Sequence, residues 1–270
     1  MSLFAPESKS ILQRLEAEGS QSKFQLDGYW YKLNCLGNEA FSEIISSIIL
    51  KNSHLPENIQ FVEYTPCVVD GKRGCKSKNF LKEGEEFISF QRLFRNTTGK
   101  ELSEEIFTKG TVKDRFDFLV DYAKIITNLN ITDYLKCNLT LDALIKNPDR
   151  HFGNLGFIVN EYEQFRLAPI FDNGQGLGQN YQITPPILEY DEKIEKLYAA
   201  TLSGSFDLPL REIGIGFTID YDSLREDLDA YIANHPLVPT EKDAMAFLDN
   251  QLKQYQAILE ETKEYEHDEF

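Results

Sequence analysis

Two carboxylates and one amide stand beside predicted strands, in an order that suits phosphate chemistry. Asp149 and Asn154 lie five residues apart in Asn147-Pro-Asp-Arg-His-Phe-Gly-Asn154, and Asp172 follows in Pro169-Ile-Phe-Asp-Asn-Gly174. Phosphoryl transfer uses an Asp to orient and deprotonate the acceptor hydroxyl, an Asn five residues later and a second Asp after the next strands. Hard oxygen ligands of this kind bind Mg²⁺. The spacing therefore predicts Asp149 as a base, with Asn154 and Asp172 as metal ligands.

Each segment also has an ordinary structural explanation. Asn-Pro-Asp is a common turn sequence, and Asp-Asn-Gly after a strand is a common loop. Two independent turns have no reason to reproduce the whole arrangement, so the two segments together favour a metal and phosphate site. The role of His151 stays open: it could support the loop through hydrogen bonds, or it could be a packed histidine.

A lysine and a glutamate upstream are placed to hold phosphates. Lys32 lies in a predicted strand, and Glu43 lies on the helix that follows it. Such a pair holds the α- and β-phosphates of ATP in kinases. Glu39 lies one helical turn earlier on a similar face and stays open as the rival partner. A lone exposed ion pair would mean little, but the sequence context favours a functional one.

A short polar turn, Glu18-Gly-Ser-Gln-Ser-Lys23, precedes the first predicted strand. Its backbone N–H groups could cover phosphates, although the turn lacks the Gly-x-Gly-x-x-Gly pattern. From these residues alone, an ordinary loop is the favoured interpretation.

The elements that must position these residues begin with a β-rich N-terminal third. Asp27-Gly28 and Asp70-Gly71 are strong hairpin signals between aromatic or β-branched runs. Apolar residues at helical spacing between Asn38 and Leu50 predict one helix between the two hairpins. The charged segment Lys82-Glu-Gly-Glu-Glu86 predicts an exposed connector.

We place the boundary between two lobes at that connector, with an N-lobe over 1–86 and a C-lobe over 87–270. The C-lobe is predicted to contain helices over 112–129 and 133–145, strands over 155–159 and 165–171, and helices from 189 onward. The chain is thus predicted to be an α+β protein with a bilobal, protein-kinase-like fold. ATP would lie in the cleft, its adenine near Lys82 to Phe87.

Composition limits the other classes. The 270 residues are 41% hydrophobic, enough for one large core or two modest cores that share a cleft. No long apolar run or secretory signal is present, so we expect a soluble cytoplasmic protein. The formal charge of -16 argues against nucleic-acid binding. The four cysteines suggest neither a disulfide framework nor a zinc site.

The sequence resembles the HipA-like kinases, most closely their compact CtkA-type members. The resemblance covers most of the chain. It is strongest in Gly37-Asn-Glu-Ala-Phe-Ser-Glu43, Asn147 to Gly156 and Ala168-Pro-Ile-Phe-Asp-Asn-Gly174. It implies ATP and Mg²⁺ as cofactors and Ser/Thr phosphorylation of a protein whose identity it does not give.

The resemblance also implies roles for single residues. The family's short loop reads like Gly-x-Gln-x-Lys, which implies that Gly19, Ser20, Gln21, Ser22 and Lys23 cover the phosphates. By position, Lys32 would hold phosphates, Glu43 would orient Lys32, Asp149 would be the base, and Asn154 and Asp172 would bind metal. Members of the family carry a serine in the loop that can be self-phosphorylated. Ser20 and Ser22 are the candidates here, unless they merely supply small polar residues for the turn.

Other readings remain open. Larger HipA toxins have an extra N-terminal subdomain and a repressor-like antitoxin, whereas this chain begins almost at the phosphate loop, so an antitoxin partner is not indicated. Asp-Arg-His also resembles the catalytic loop of phosphoinositide kinases, which leaves a lipid or small-molecule acceptor as an alternative, although the negative charge disfavours anionic membranes. A nucleotide-binding pseudokinase is the second alternative. The intact set of polar residues argues against it.

Overall fold

The computed structural model describes residues 22–181 and 189–267. Its N-terminal part is an antiparallel sheet with one packed helix, and its C-terminal part is mainly helical. The predicted α+β architecture is therefore confirmed.

Strands within the described residues are β1 (Ser22–Leu26), β2 (Tyr29–Leu33), β3 (Ser53–His54), β4 (Thr65–Val69), β5 (Lys72–Lys78), β6 (Glu85–Ser89), β7 (Gly156–Asn160), β8 (Phe165–Leu167) and β9 (Thr218–Ile219). They form a four-stranded sheet in the order β1-β2-β5-β4, a three-stranded sheet β6-β7-β8 and a pair β3-β9, all antiparallel.

Helices within the same residues are α1 (Glu39–Lys51), α2 (Phe90–Thr98), α3 (Leu102–Glu105), α4 (Val112–Thr127), α5 (Thr132–Ile145), α6 (Tyr190–Glu195), α7 (Asp207–Ile213), α8 (Tyr221–Asn234) and α9 (Pro239–His267). A 3-10 turn, Ile106–Thr108, follows α3.

Both predicted hairpins are present. At each turn the Asp and the Gly have positive φ, with values of 50° and 78° at Asp27 and Gly28 and 50° and 80° at Asp70 and Gly71. Two-residue turns with this backbone match the right-handed twist of the strands they join. Strand β2 of the first hairpin also pairs with β5 of the second, so Lys32 lies opposite both Lys23 and Cys75.

The predicted apolar stripe of α1 is buried under the sheet. Phe41, Ile44, Ile45 and Ile49 are each less than 5% exposed. They belong to one hydrophobic cluster that continues through the C-terminal helices as far as Tyr255. Because of this cluster, the sheet and the C-terminal helices share a core.

Residues 85–89 depart from the predicted exposed connector. They form β6, which pairs along its length with β7 and so joins the sheet of the C-terminal part. Arg166 on β8 fixes the start of this strand through Glu85 at 2.7 Å and also donates to the Phe80 carbonyl at 3.1 Å. The short pair β3-β9 was likewise not predicted, and it connects the end of α1 to the helical region.

No helix among the described residues is long and apolar enough to cross a membrane.

Candidate active site

Lys32 lies between two carboxylates. Its ammonium contacts Glu43 Oε1 and lies 2.7 Å from Asp172 Oδ1. Glu43 is fully buried, and its second oxygen accepts a hydrogen bond from the Asn173 backbone N–H at 2.9 Å. The structure thus brings together three predicted site residues from β2, from α1 and from the loop after β8.

Strand geometry explains why Lys32 faces this cluster. Side chains directly opposite each other on antiparallel strands share a face, so Lys32 lies on the same side as the buried Cys75, beneath which α1 packs. The ring of Tyr64 adds a cation–π contact at 5.3 Å from the ammonium.

Glu43, and not Glu39, is the partner of Lys32. Glu39 is also buried, but its carboxylate accepts hydrogen bonds from the backbone N–H groups of Leu36 at 2.7 Å and Cys35 at 3.2 Å. Glu39 therefore fixes the loop before α1, while Glu43, one helical turn further on, contacts Lys32.

Charges within the cluster shift its pKa values. Burial alone would lower the pKa of Lys32, but the carboxylates of Asp172 and Glu43 outweigh burial and raise it well above its usual range. Burial alone would raise the pKa of Asp172, but the charge and hydrogen bond of Lys32 lower it to about 2. Burial raises the pKa of Glu43, although Lys32 opposes the rise. Lys32 and Asp172 are thus charged at neutral pH.

Asp172 adopts a left-handed backbone conformation, with φ of 60°. For a residue with a side chain this costs roughly 1 kcal/mol, so neighbouring contacts must hold it. Arg150 donates to the carbonyl of Phe171 at 2.6 Å, and Asn173 N–H donates to Glu43. Ser42 on α1 donates to the carbonyl of Asn173 at 2.6 Å. These bonds fix the backbone on both sides of Asp172.

The predicted catalytic loop is held by its own polar side chains. The Asp149 N–H donates to Asn147 Oδ1 at 3.2 Å, and Asn154 Nδ2 donates to the Asp149 carbonyl at 3.1 Å. With Nδ2 engaged in this way, Oδ1 is the atom of the Asn154 amide that remains as a candidate ligand, on a side chain that is largely buried. The Asp149 side chain is exposed.

Sequence reasoning missed the residue that anchors this loop. Arg150 is only 1% exposed, and its Nε lies 3.1 Å from both oxygens of Asp142 on α5. Its other nitrogens contact the Phe171 carbonyl and Asn173 Oδ1. One guanidinium therefore connects the loop of Asp149 with the loop of Asp172. The available signal was an arginine that directly follows Asp149, a predicted site residue.

Asp149 and Asp172 lie close enough to interact electrostatically. Asp149 is exposed, but the protein around it still partly desolvates its carboxylate and raises its pKa; His151 opposes the rise, and the negative charge of Asp172 adds to it. An aspartate whose pKa is raised is a better proton acceptor than an ordinary one.

His151 is exposed, which excludes the packed-histidine interpretation. Its Nδ1 accepts a hydrogen bond from the Gly153 N–H at 3.0 Å. In the neutral ring the proton then lies on Nε2. The contact makes His151 a support of the tight turn between Asp149 and Asn154.

Only the end of the predicted phosphate-covering loop lies among the described residues. Gly19, Ser20 and Gln21 lie outside the described residues. Ser22 and Lys23 open β1, where Lys23 pairs with Lys32 across the sheet. The charge of Lys23 helps lower the pKa of Asp172, which places it near the cluster.

Three aromatic rings mark the region predicted to hold adenine. Phe87 packs edge to face on Phe171, with ring centroids 5.3 Å apart, and Phe80 contacts both. Because Phe171 directly precedes Asp172, this cluster joins the predicted adenine region to the charged one.

The residues present fit a magnesium nucleotide. Among the described residues, no group of three or more His, Cys, Asp and Glu side chains could hold a metal unaided. Asp172 is one-third exposed, and none of the described residues donates a hydrogen bond to its Oδ2. This oxygen and Asn154 Oδ1 are therefore two candidate ligands. Mg²⁺ in nucleotide sites is commonly held by one or two carboxylates plus phosphate oxygens, which matches such a partial donor set.

Comparison with known proteins supports the fold. No protein-family model matches the chain, and no curated protein matches it. The proinflammatory kinase CtkA of Helicobacter pylori matches with a TM-score of 0.58 at 17% identity, over 87% of this chain and 88% of CtkA. This match shows that the chain has the fold of CtkA, as the predicted resemblance implied.

Two further structures match with lower scores. A chain of the Shewanella oneidensis HipA, HipB and operator DNA complex has a TM-score of 0.46 at 13% identity, over 88% of this chain and 64% of that one. A choline/ethanolamine kinase family protein of Mesorhizobium loti has a TM-score of 0.27 at 12% identity, over 94% of both chains.

Proposed function

We propose that this chain is an ATP- and Mg²⁺-dependent phosphotransferase of the cytoplasm, and specifically a HipA-like Ser/Thr protein kinase. The observation that carries the proposal is the Lys32 ammonium held between Glu43 and Asp172, with Asp149 and Asn154 on a loop fixed to the same segment through Arg150. Kinase chemistry is mainly positioning and charge stabilisation, and this arrangement supplies both.

Each residue has a distinct role in the proposal. Lys32 binds phosphate oxygens, and Glu43 keeps its ammonium in place. Asp172 and Asn154 supply oxygen ligands to Mg²⁺, which neutralises phosphate charge when bound. Asp149 orients the acceptor hydroxyl and takes its proton, and its raised pKa suits that task.

The proposed acceptor is a serine or threonine of another protein. A lipid acceptor is disfavoured because a net charge of -16 opposes approach to an anionic membrane. Self-phosphorylation at Ser20 or Ser22 belongs to the same proposal. A phosphoserine there would add about -1.5 to -2 charge beside the bound phosphates, so it should repel them and inhibit the enzyme.

Transfer from labelled ATP tests the proposal. The protein is incubated with γ-labelled ATP and Mg²⁺, with and without cell lysate, and labelled peptides are mapped. We expect label on protein hydroxyls and a loss of roughly a hundredfold or more in Asp149→Asn, the usual scale for a removed general base. The matched control is Asp117→Asn, the same chemical change on an exposed residue of α4.

Nucleotide binding separates the alternatives. Trp30, the single tryptophan, lies two residues before Lys32 on the same strand face, so its fluorescence can report binding in the cleft. Binding without any transfer would identify a pseudokinase, and label found only on lipid or small molecules would identify the other kinase class. Absence of both binding and transfer would overturn the proposal, as would full activity of Asp149→Asn.

A further inference from the structure

The first turn of α9 meets both the start of α1 and the segment that follows Asp172. Thr240 Oγ1 accepts a hydrogen bond from Asn38 Nδ2 at 3.1 Å and lies 2.8 Å from the Tyr181 hydroxyl. The Thr240 carbonyl accepts one from Gln179 Nε2 at 3.2 Å. We refer to Asn38, Gln179, Tyr181, Thr240 and Glu241 as the α9 junction.

Backbone contacts make the junction close-fitting. The Asn38 N–H donates to the Gln179 carbonyl at 3.0 Å, and the Tyr181 N–H donates to the Leu36 carbonyl at 2.9 Å. A Cβ atom on Gly37 would lie 1.8 Å from the Gln179 carbonyl oxygen, so only glycine fits between the two segments. The loop before α1 and the segment after Asp172 are thus paired directly where α9 begins.

Glu241 extends the junction to the sheet. Its side chain is fully buried, and Oε1 lies 3.0 Å from a guanidinium nitrogen of Arg73 on β5. Its other oxygen accepts a hydrogen bond from the Val238 N–H at 3.0 Å, which caps the helix. Because a buried carboxylate is unfavourable without a partner, this ion pair holds the start of α9 against the strand that carries Cys75, opposite Lys32.

We propose that Thr240 and Glu241 are positioning residues for the cluster of Lys32, Glu43 and Asp172, an inference that rests on the function proposed above. Neither residue touches the cluster. They act through Asn38, which immediately precedes α1 and so sets where Glu43 lies, and through Gln179 and Tyr181, which lie in the segment that follows Asp172. Reacting groups must be held within about 0.5 Å, so looseness at either end should lower turnover.

Paired substitutions at Thr240 separate positioning from general stability. Thr240→Val keeps the shape but removes the hydroxyl, and Thr240→Ser restores it. We expect Thr240→Val to lower kcat about tenfold, the effect of a barrier raised by about 1.4 kcal/mol, with KM for ATP changed less than about twofold. Thr240→Ser should recover most of the rate. Glu241→Gln should behave like Thr240→Val, whereas Asp249→Asn, the corresponding change further along α9, should match the wild type.

Amide hydrogen exchange without nucleotide provides a readout independent of turnover. In Thr240→Val, exchange should rise in the first turns of α1 and in residues 173–181, while α4 stays as in the wild type. Unchanged exchange in those two segments would overturn the inference, and so would equal defects in Thr240→Val and Thr240→Ser. If the wild-type protein transfers no phosphate, the proposed function fails, and the exchange result alone still decides whether α9 positions α1.

Discussion

The two carboxylates beside Lys32 differ in what they leave available. Glu43 has both oxygens engaged, one by the lysine and one by the Asn173 N–H, and it is fully buried. Asp172 uses one oxygen for the lysine and is one-third exposed. Glu43 is therefore suited to orient Lys32, and Asp172 is the carboxylate that a ligand can reach.

Substitution of each helix glutamate by glutamine tests this assignment. Glu43→Gln removes the charge that faces Lys32, so we expect kcat for phosphate transfer to fall about tenfold or more, the scale of a lost charged hydrogen bond. Glu39→Gln keeps an oxygen for the Leu36 N–H, so it should leave kcat within about threefold, the effect of a change below 1 kcal/mol. Equal losses of activity in both variants would show that the identity of the lysine partner is unimportant.

The pKa shifts predict a single acidic limb in the rate profile. The pKa of Asp149 is raised above its ordinary 3.8, so we expect the proposed base to become protonated, and kcat to fall, as the pH drops through that raised value. Asp172, with its pKa lowered to about 2, and Lys32, with its pKa raised well above 10.5, keep their charges throughout. ATP affinity, followed by Trp30 fluorescence, should stay flat over the range in which kcat falls. A parallel loss of affinity would assign the limb to binding instead.

At the scale of elements, α5 supports the loop that carries Asp149. Asp142 lies near the end of α5, where it is bound by Arg150 and by Asn147 Nδ2 at 3.0 Å. Burial raises the pKa of Asp142, while the Arg150 charge opposes the rise. The helix thus places one buried carboxylate under the loop, and the loop folds its arginine inward to meet it.

Breaking this buried pair should be costly. Arg150→Met leaves Asp142 buried without its partner, and we expect a loss of about 3 to 5 kcal/mol in the free energy of unfolding measured in urea. Lys113→Met breaks the exposed pair with Asp117 on α4 and should change the free energy of unfolding by no more than about 0.5 kcal/mol. Similar effects of the two substitutions would mean that the Arg150 pair is worth no more than a surface pair.

Local elements were predictable from sequence because their signals are local. Asp27-Gly28 and Asp70-Gly71 gave both hairpins, and apolar spacing gave α1. The pairing of β6 with β7 was missed because its partners are about seventy residues apart and the charged sequence of 82–86 resembles a loop. A strand at the junction of two regions can carry charges on its exposed side, as Glu86 does.

The identities of the site residues were predictable from the sequence, but their hydrogen-bond and ion-pair partners were only partly predictable. The spacing of Asp149, Asn154 and Asp172 pointed to one cluster, but Glu39 and Glu43 share a helix face, and only the fold shows which one reaches Lys32. The burial of Arg150 depends on Asp142 and Asn173, whose proximity no local pattern reveals.

At the scale of the whole molecule, one core spans the sheet and the helices. The cluster that contains Ile45 and Cys75 also contains Leu248 and Tyr255 of α9. The pair β3-β9 and the Arg73–Glu241 contact add polar connections between the same regions. The sheet has a small cluster of its own, made by Phe24, Leu33 and Val69, but its packing on the helices runs through the shared core.

A shared core predicts cooperative unfolding. Trp30 fluorescence follows the four-stranded sheet, and far-UV circular dichroism follows mainly the helices. The two probes should give the same urea midpoint and a single transition, as in two-state unfolding. A fluorescence midpoint at clearly lower urea would show that the sheet unfolds as a separate unit.

Charge is distributed unevenly along the chain. Residues 22–82 contain eight Lys or Arg and six Asp or Glu, whereas residues 83–270 contain 18 and 35. The sheet that supplies Lys23 and Lys32 therefore belongs to the less acidic part of a strongly acidic protein. This local balance reduces the repulsion that a polyphosphate would meet on entering the cleft from that side.

The 2.7 Å contact between Lys32 and Asp172 links the two ligands that the cleft is proposed to accept. A divalent cation bound to Asp172 would weaken its attraction for Lys32, and the ammonium would then be free to bind a phosphate. Lys32 bound to a phosphate likewise leaves Asp172 free for the cation. By thermodynamic reciprocity, each ligand raises the affinity for the other by the same factor. Under the proposed function, the ion pair would therefore couple the two ligands, so that nucleotide and metal bind more tightly together than either one binds alone.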